Sequence, residues 1–405
     1  MKTYRLLITL AIIFFSFQNN FTKPYVILVS FDGFRWDYLN RNITPNLINI
    51  KAEGVHAISL RPSFPSKTFP NHISIVTGMY PENHGVISNN IRNPFNDKRY
   101  KIGNSKSVTE PEWYQGEFFW ETAERNGIKT ASFFWPGSEI SDTLRTPSIV
   151  KAYDHNFPYK NRIDTVIAWL QLPEIERPQF ITLYFHETDS KGHRYGTESN
   201  ETNNAISLLD SLAGYIKDQI STLPIKDSIN IIFVSDHGMK DIDTSKSVNI
   251  EENIKGFDYS IVDSGPFVSI TPTNKNEIKP IYEILKKNES FFKVYLKEEI
   301  PDYYFYNKHP FIAPIVAIAD IGASLRTERQ TKNNYSSEKA THGYAKDFLE
   351  MHGLFIANGP SFKVGMQTGT LWNIDIYPLL CEIFKISPRS NIDGKIDRIR
   401  FILKD

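Results

Sequence analysis

The chain has 405 residues, 40% of them hydrophobic, with 46 basic side chains balanced by 46 acidic ones. That length fills a large core and fits one catalytic domain carrying an insert better than several independent units. A formal net charge of zero excludes long-range attraction to nucleic acid or anionic membrane as an organising force, although a local basic patch around a phosphate pocket would not show in that total.

At the N-terminus, Lys2 and Arg5 precede the apolar run Leu6–Phe17, and polar Gln18-Asn19-Asn20 follow. A charged start, a short apolar centre and a polar end form the layout of an export signal. The run is shorter than the ~20 apolar residues a membrane-spanning helix needs. The expectation is a cleaved signal over residues 1–20, a periplasmic or secreted protein, and no stable membrane span afterwards. The alternative is an uncleaved anchor.

Four runs are apolar on both faces and rich in β-branched and aromatic residues, the composition of buried parallel strands. They are Tyr25–Phe31, Thr130–Trp135, Phe180–Phe185 and Ile229–Ser235. Helical patterns at Asn71–Thr77, Gly116–Asn126, Ile163–Leu170 and Asn204–Leu223 fall between and around them. The alternation predicts an α/β fold with a doubly wound, mostly parallel sheet. From about residue 249 to 339 the pattern changes. Strands at Pro266–Thr271 and Ala313–Ala319 surround a helix at Lys275–Lys287, with the aromatic Tyr303–Tyr306 between them. This predicts a small α+β insertion into a single domain spanning 21–405, with the polar tail Thr327–Lys339 as an exposed loop. Cys381 is the one cysteine. It can make no internal disulfide, and within apolar Ile374–Ile386 it reads as packing.

The residues that carry chemistry sit at the ends of these strands. Asp32 closes the first strand and is followed by Gly33. A lone aspartate there is ordinarily a cap or turn former. Asp236-His237-Gly238 follows the fourth strand in the same manner, and an adjacent carboxylate and imidazole can both reach one ion. Asp189 and His193 follow the third strand, at a spacing that puts both on one side of a helical turn. One such pair is weak evidence. Two pairs and Asp32, each just past a parallel strand, point to the crevice where strand ends of an open α/β sheet converge. His342, in His342-Gly343-Tyr344, can complete the set, with His352 in MHGLF as its rival. Asp32, Thr68, Asp189, His193, Asp236, His237 and His342 together supply ligands for two metal ions, a pair that suits phosphoryl transfer.

Thr68 lies in PSFPSKTFPNHISIVTG, where a loop enters a helix starting near Pro70, and it occupies a capping position. It is either a plain N-cap or a nucleophile. A helix N-terminus favours an alkoxide and an incoming phosphate, and a bound metal lowers the hydroxyl's pKa. Asn89, in GVISNN, can offer its amide to a phosphoryl oxygen or serve turn chemistry alone.

In order and spacing, VILVSFDGFRWDYL, PSFPSKTFPNHISIVTGMYPENHGVISN, TDSKGH, VSDHGM and HGY…MHGLFIANGPSFK resemble the nucleotide pyrophosphatase/phosphodiesterase family of the alkaline phosphatase superfamily. They span nearly all of residues 25–365. The resemblance implies two Zn2+ per chain. One is held by Asp189, His193 and His342, the other by Asp32, Asp236, His237 and the Thr68 oxygen. It favours His342 over His352, makes Thr68 the nucleophile of a covalent phospho-threonine intermediate, and makes Asn89 a phosphate-binding amide. It further implies a base-stacking slot at Phe69, Tyr153 and Tyr184, a small-molecule nucleotide or other phosphodiester as substrate, and no specific nucleic-acid binding. The ligand set itself fits zinc, manganese or cobalt.

The chain departs from the family where HGYDN is common, reading His342-Gly343-Tyr344-Ala345-Lys346 instead. It lacks the room and the cysteines for the extra domains of vertebrate members, and so looks like the bare core of bacterial ones. Three alternatives stay open: a choline or lipid phosphodiesterase, a phosphomonoesterase, and a non-catalytic phosphate-ligand binder. A monoesterase needs extra positive charge, for which Arg35, Lys67 and Arg92 are near in sequence. The binder would be expected to have lost a ligand or the nucleophile. Oligomeric state is not legible.

Overall fold

A computed structural model describes residues 23–332 and 338–404, so the expected export signal over residues 1–20 lies outside the described residues. The centre is an eight-stranded sheet. Its order is Met366–Thr368, Val55–Ala57, Phe355–Asn358, Ile229–Val234, Tyr25–Phe31, Phe180–Phe185, Thr130–Phe133 and Ile149–Lys151. The last five run parallel to one another. Phe355–Asn358 is antiparallel to both its neighbours, so the sheet is mostly parallel with one reversed strand.

All seven residues of Tyr25–Phe31 are buried, because successive side chains leave a strand on opposite faces and both faces are covered. Val26 and Leu28 join one apolar cluster with side chains from helices Thr68–Thr77, Phe119–Arg125 and Ile376–Phe384. Ile27, Val29 and Phe31 join another with helices Tyr159–Leu170 and Asn200–Ser221. The sheet is therefore sandwiched between two helical layers, and Cys381 is buried in the first.

Element ends differ from the sequence reading in ways that have local causes. The second of the four expected strands stops at Phe133, because Phe134 takes a left-handed φ of 66° that ends an extended run. The helix expected from Gly116 starts at Phe119, where the Glu121 carboxylate accepts the Phe118 N–H at 2.8 Å. The helix expected from Asn71 starts at Thr68.

The region inserted before His342 forms a four-stranded antiparallel sheet in the order Tyr259–Val262, Phe267–Pro272, Ile315–Ala319, Phe292–Leu296. Helix Ile278–Lys287 buries Ile281 and Leu285 against it. The outer two strands escape sequence reading because they are only partly buried and so carry no continuous apolar run. Within the polar tail, Glu328–Lys332 is a short helix rather than loop.

Candidate active site

The first three carboxylates are tied together by backbone. Asp32 N–H donates to the Phe185 carbonyl at 2.9 Å, and the Asp32 carbonyl accepts from Asp189 N–H at 3.0 Å. Gly33 permits this approach. Its φ is +66°, and a Cβ there would lie 2.9 Å from the Asp189 Cα, closer than any side chain tolerates. Its N–H also donates to Asp236 Oδ1 at 3.3 Å. Asp189 and His193 stand one turn apart on helix Glu187–Tyr195. Asp236 and His237 follow strand Ile229–Val234.

Ligand atoms of Asp32, Asp236 and His237 converge within 4.8 Å of one another, and so do those of Asp189, His237 and His342. His193 joins through Nε2, 3.3 Å from Asp189 Oδ1. All three imidazoles are oriented alike. Nδ1 of His193 donates to the Ala340 carbonyl at 2.9 Å, His237 to Gly238 at 2.8 Å, and His342 to Ser66 at 2.8 Å. A carbonyl only accepts, so Nδ1 carries the proton and each Nε2 turns a lone pair inward, the arrangement of a metal-binding histidine.

Facing those lone pairs are Asp32 Oδ1, Asp189 Oδ1 and Asp236 Oδ2, buried and without a hydrogen-bond donor. Nε2 of His237 is 3.4 Å from Asp32 and 3.0 Å from Asp236, and Nε2 of His342 is 3.5 Å from Asp189. Electron pairs packed against electron pairs in a buried pocket are stable only around positive charge. Burial, joined by the negative Asp236 and Asp189, pushes the Asp32 carboxyl well above its usual range. The same demand shows at His193: burial opposes a charge there, but Asp189 outweighs it and draws the imidazole up to about 9, so that with no other cation at hand a proton takes the inward Nε2. The pocket therefore demands a cation, and its mixed nitrogen and oxygen donors suit a zinc-type ion.

Thr68 is not the N-cap. Lys67 holds that position without a side-chain cap, and Thr68 is the first helical residue, its Oγ1 3.2 Å from His237 Nε2. The hydroxyl thus belongs to the ligand cluster. Asn89 Oδ1 accepts the Phe69 N–H at 3.0 Å. That bond fixes which way the amide faces and leaves Nδ2 without a partner among the described residues, beside the first turn of the Thr68 helix.

His72, one turn after Thr68, was silent in sequence. Its Nδ1 donates to the Thr68 carbonyl at 2.9 Å and its Nε2 is 2.8 Å from Ser30 Oγ. It pins the Thr68 backbone to the central strand. His352 is removed as a rival ligand: its two nitrogens contact Ser59 Oγ at 2.8 Å and the Lys346 carbonyl at 3.0 Å. Arg35 is held by Asp37 and the Met239 carbonyl, and Arg92 by Asp97 and Ser260. Lys67 alone of the three sequence-near cations lines the cavity of about 300 Å³ bounded by Asn89, His193 and His342.

The three aromatic residues do not form one slot by mutual contact. Phe69 is half-buried and packs edge-on against Tyr100 at 6.1 Å. Tyr153 is 48% exposed and meets Tyr184 at 6.3 Å. Tyr184 itself is buried. Its ring packs on His72 at 5.3 Å, and its hydroxyl donates to Asp32 Oδ2 at 2.5 Å.

A family model described as type I phosphodiesterase/nucleotide pyrophosphatase matches residues 26–345. The chain is 33% identical over 386 residues to bis(5'-adenosyl)-triphosphatase enpp4 of Xenopus laevis, covering 95% of this chain and 83% of that protein. It is 35% identical over 395 residues to human ectonucleotide pyrophosphatase/phosphodiesterase family member 1, but spans only 42% of that protein's length. Among solved structures, human ectonucleotide pyrophosphatase/phosphodiesterase 5 superposes with a TM-score of 0.89 at 29% identity, over 94% of this chain and 100% of that one. The murine counterpart, with a TM-score of 0.89, 28% identity and the same coverage, is in an inactive threonine-to-alanine form in complex with AMP. By sequence and by fold, the chain belongs to the type I phosphodiesterase/nucleotide pyrophosphatase family.

Proposed function

We propose that this protein is an exported, zinc-dependent hydrolase that cleaves phosphodiester and pyrophosphate bonds of nucleotides and releases nucleoside monophosphates. The observation that carries the reading is the Thr68 hydroxyl, 3.2 Å from His237, at a helix start beside a pocket of unpaired carboxylate and imidazole lone pairs. Asp189, His193 and His342 would hold one zinc ion, and Asp32, Asp236, His237 and Thr68 Oγ1 the other. When bound, the pair supplies positive charge at the attacking and departing oxygens.

The residues of the chain perform the remainder. The Thr68 Oγ1 proton passes to water and the oxygen attacks phosphorus in line; the bond to the leaving oxygen breaks, that group departs as its anion or takes a proton from water, and the nucleotide stays esterified to Thr68. Water then cleaves that ester, restoring the hydroxyl and freeing the monophosphate. The Asn89 amide nitrogen, oriented by Phe69 N–H, donates to a phosphoryl oxygen as charge grows there. Tyr153, exposed at the rim, and Phe69, half-buried beside Thr68, offer apolar faces to a base. The AMP complex of the murine relative supports a nucleotide in this crevice.

Turnover of nitrophenyl thymidine monophosphate is compared with nitrophenyl phosphate and nitrophenyl phosphocholine in one preparation. Preference for the nucleotide diester supports the reading. Preference for either other ester overturns the substrate class. Thr68→Ala keeps the bound metal, read by elemental analysis, and loses turnover by orders of magnitude; substantial residual turnover would remove Thr68 as nucleophile.

A further inference from the structure

One carboxylate from the insertion reaches into the phosphate cavity. Asp263 follows strand Tyr259–Val262 with a left-handed φ of 67°, and its side chain is only 2% exposed. It accepts from three groups of the catalytic domain: Lys67 Nζ at 3.2 Å, Asn90 Nδ2 at 2.8 Å and Ser88 Oγ. Lys67 directly precedes Thr68, and Ser88 and Asn90 flank Asn89. Asp263 therefore touches both flanks of the phosphate-binding groups while making no contact with Thr68 or the metal-ligand cluster. Gly343, beside His342, leaves space for the arrangement: a Cβ there would stand 3.1 Å from the Lys67 Cε.

We propose that Asp263 is a positioning and charge-setting residue that tunes the site for phosphodiesters over phosphomonoesters. The proposal rests on the phosphodiesterase reading above. A diester presents one negative charge at the reacting phosphorus, and a monoester near neutral pH presents close to two. Lys67 and Arg326 both line the cavity of Asn89 and His342; Lys67, which directly precedes Thr68, is the cation assigned to a third phosphate oxygen. Paired to Asp263, that charge is cancelled and its Nζ is drawn aside, so a dianion gains little from it. The Ser88 and Asn90 contacts hold the Asn89 loop, so the same carboxylate fixes the amide that both esters share.

The test compares kcat/KM for nitrophenyl thymidine monophosphate and nitrophenyl phosphate on the same preparation, so that any fraction of misfolded enzyme cancels from the ratio. Asp263→Asn keeps shape and tolerates the left-handed backbone. It raises the monoester-to-diester ratio at least about tenfold, because one uncompensated charge ~3 Å from a dianion contributes a factor of ten even at the bulk-water dielectric of ~80. Adding Lys67→Met to Asp263→Asn brings the ratio back to the parent value. Ser88→Ala, which loosens the loop without changing charge, leaves the ratio where it was. A ratio unchanged in Asp263→Asn, with both activities falling together, would reduce Asp263 to a structural tie and overturn the proposal. So would a ratio that rises equally in Ser88→Ala. Should the parent enzyme prefer the monoester, the phosphodiesterase reading itself fails, a result distinct from an unchanged ratio in an active diesterase.

Discussion

Replacing Tyr184 by Phe separates two roles that sequence could not tell apart. The substitution keeps the ring, which contacts Tyr153 at 6.3 Å and His72 at 5.3 Å, and deletes the hydroxyl that donates to Asp32 Oδ2 at 2.5 Å. Asp32 is 1% exposed, and burial with two neighbouring carboxylates already holds its pKa well above the usual range. A hydrogen bond to a charged group contributes ~1.5–3 kcal/mol. At ~1.4 kcal/mol per factor of ten, that is ~10–150-fold in zinc affinity, matching the ~10–100-fold effect of groups that orient metal ligands. Titrating the metal-free variant with zinc against a competing chelator gives the number. The sign of the pH effect follows as well. Without its donor the Asp32 carboxyl rises further, so protons compete with zinc at higher pH and half-occupancy moves upward. If the ring alone matters, zinc affinity stays at the parent value and KM for a nucleotide diester changes instead; that result would refute the positioning role.

Asn89→Ala removes a donor to the developing phosphoryl charge and lowers kcat by ~10²–10³-fold, whereas a fall below about tenfold would take Asn89 out of the transition state. Asn89→Asp loses more, because the carboxylate still accepts from Phe69 N–H but repels the phosphate; steady-state kinetics on one diester ranks the two. Away from the site, His84 is fully buried with Nδ1 accepting from Val86 N–H at 3.2 Å and Nε2 3.1 Å from the Pro70 carbonyl. Burial lowers it to about 3. The unfolded chain protonates first as pH falls, so stability is complete above about 6.5 and drops by up to ~1.4 kcal/mol per pH unit between there and about 3. Urea midpoints of the parent and His84→Gln near pH 7 and near pH 5 read this contribution; equal slopes in the two proteins would show that His84 is not its source.

The clustering of the proposed metal ligands was legible because the physics that gathers them is coarse. Parallel strands aligned in one sheet bring their carboxyl ends to one rim, and Asp32, Asp189, Asp236 and His237 each lie just past an unmistakable apolar run. The choice of His342 over His352 came from family resemblance. Geometry adds the reason, since His352 spends both nitrogens on Ser59 and the Lys346 carbonyl. The start of the Thr68 helix was misjudged because proline is tolerated throughout the first turn. Pro70 therefore marks the beginning of a helix without marking which residue is first. The half-buried strands Tyr259–Val262 and Phe292–Leu296 lacked the pattern by which strands are found.

What stayed hidden depends on register, which no single sequence displays. Ser30 lies opposite Tyr184 in the parallel pairing of the two central strands. Period-two alternation then puts Ser30, Asp32 and Tyr184 on the same face. Phe31 and Phe185, one residue along, leave the strands on the opposite face. That shared face is the one the Thr68 helix covers, so Ser30 can contact His72, His72 can hold the Thr68 carbonyl, and Tyr184 can reach Asp32. A slip of one residue between these strands would send the Tyr184 hydroxyl to the far side and leave Asp32 Oδ2 bare. The Thr68 backbone and the neighbouring Asp32 carboxylate are thus set by one strand pairing, deep in the sheet. Substitutions that disturb this pairing should lower metal affinity even when they lie beyond any contact with substrate.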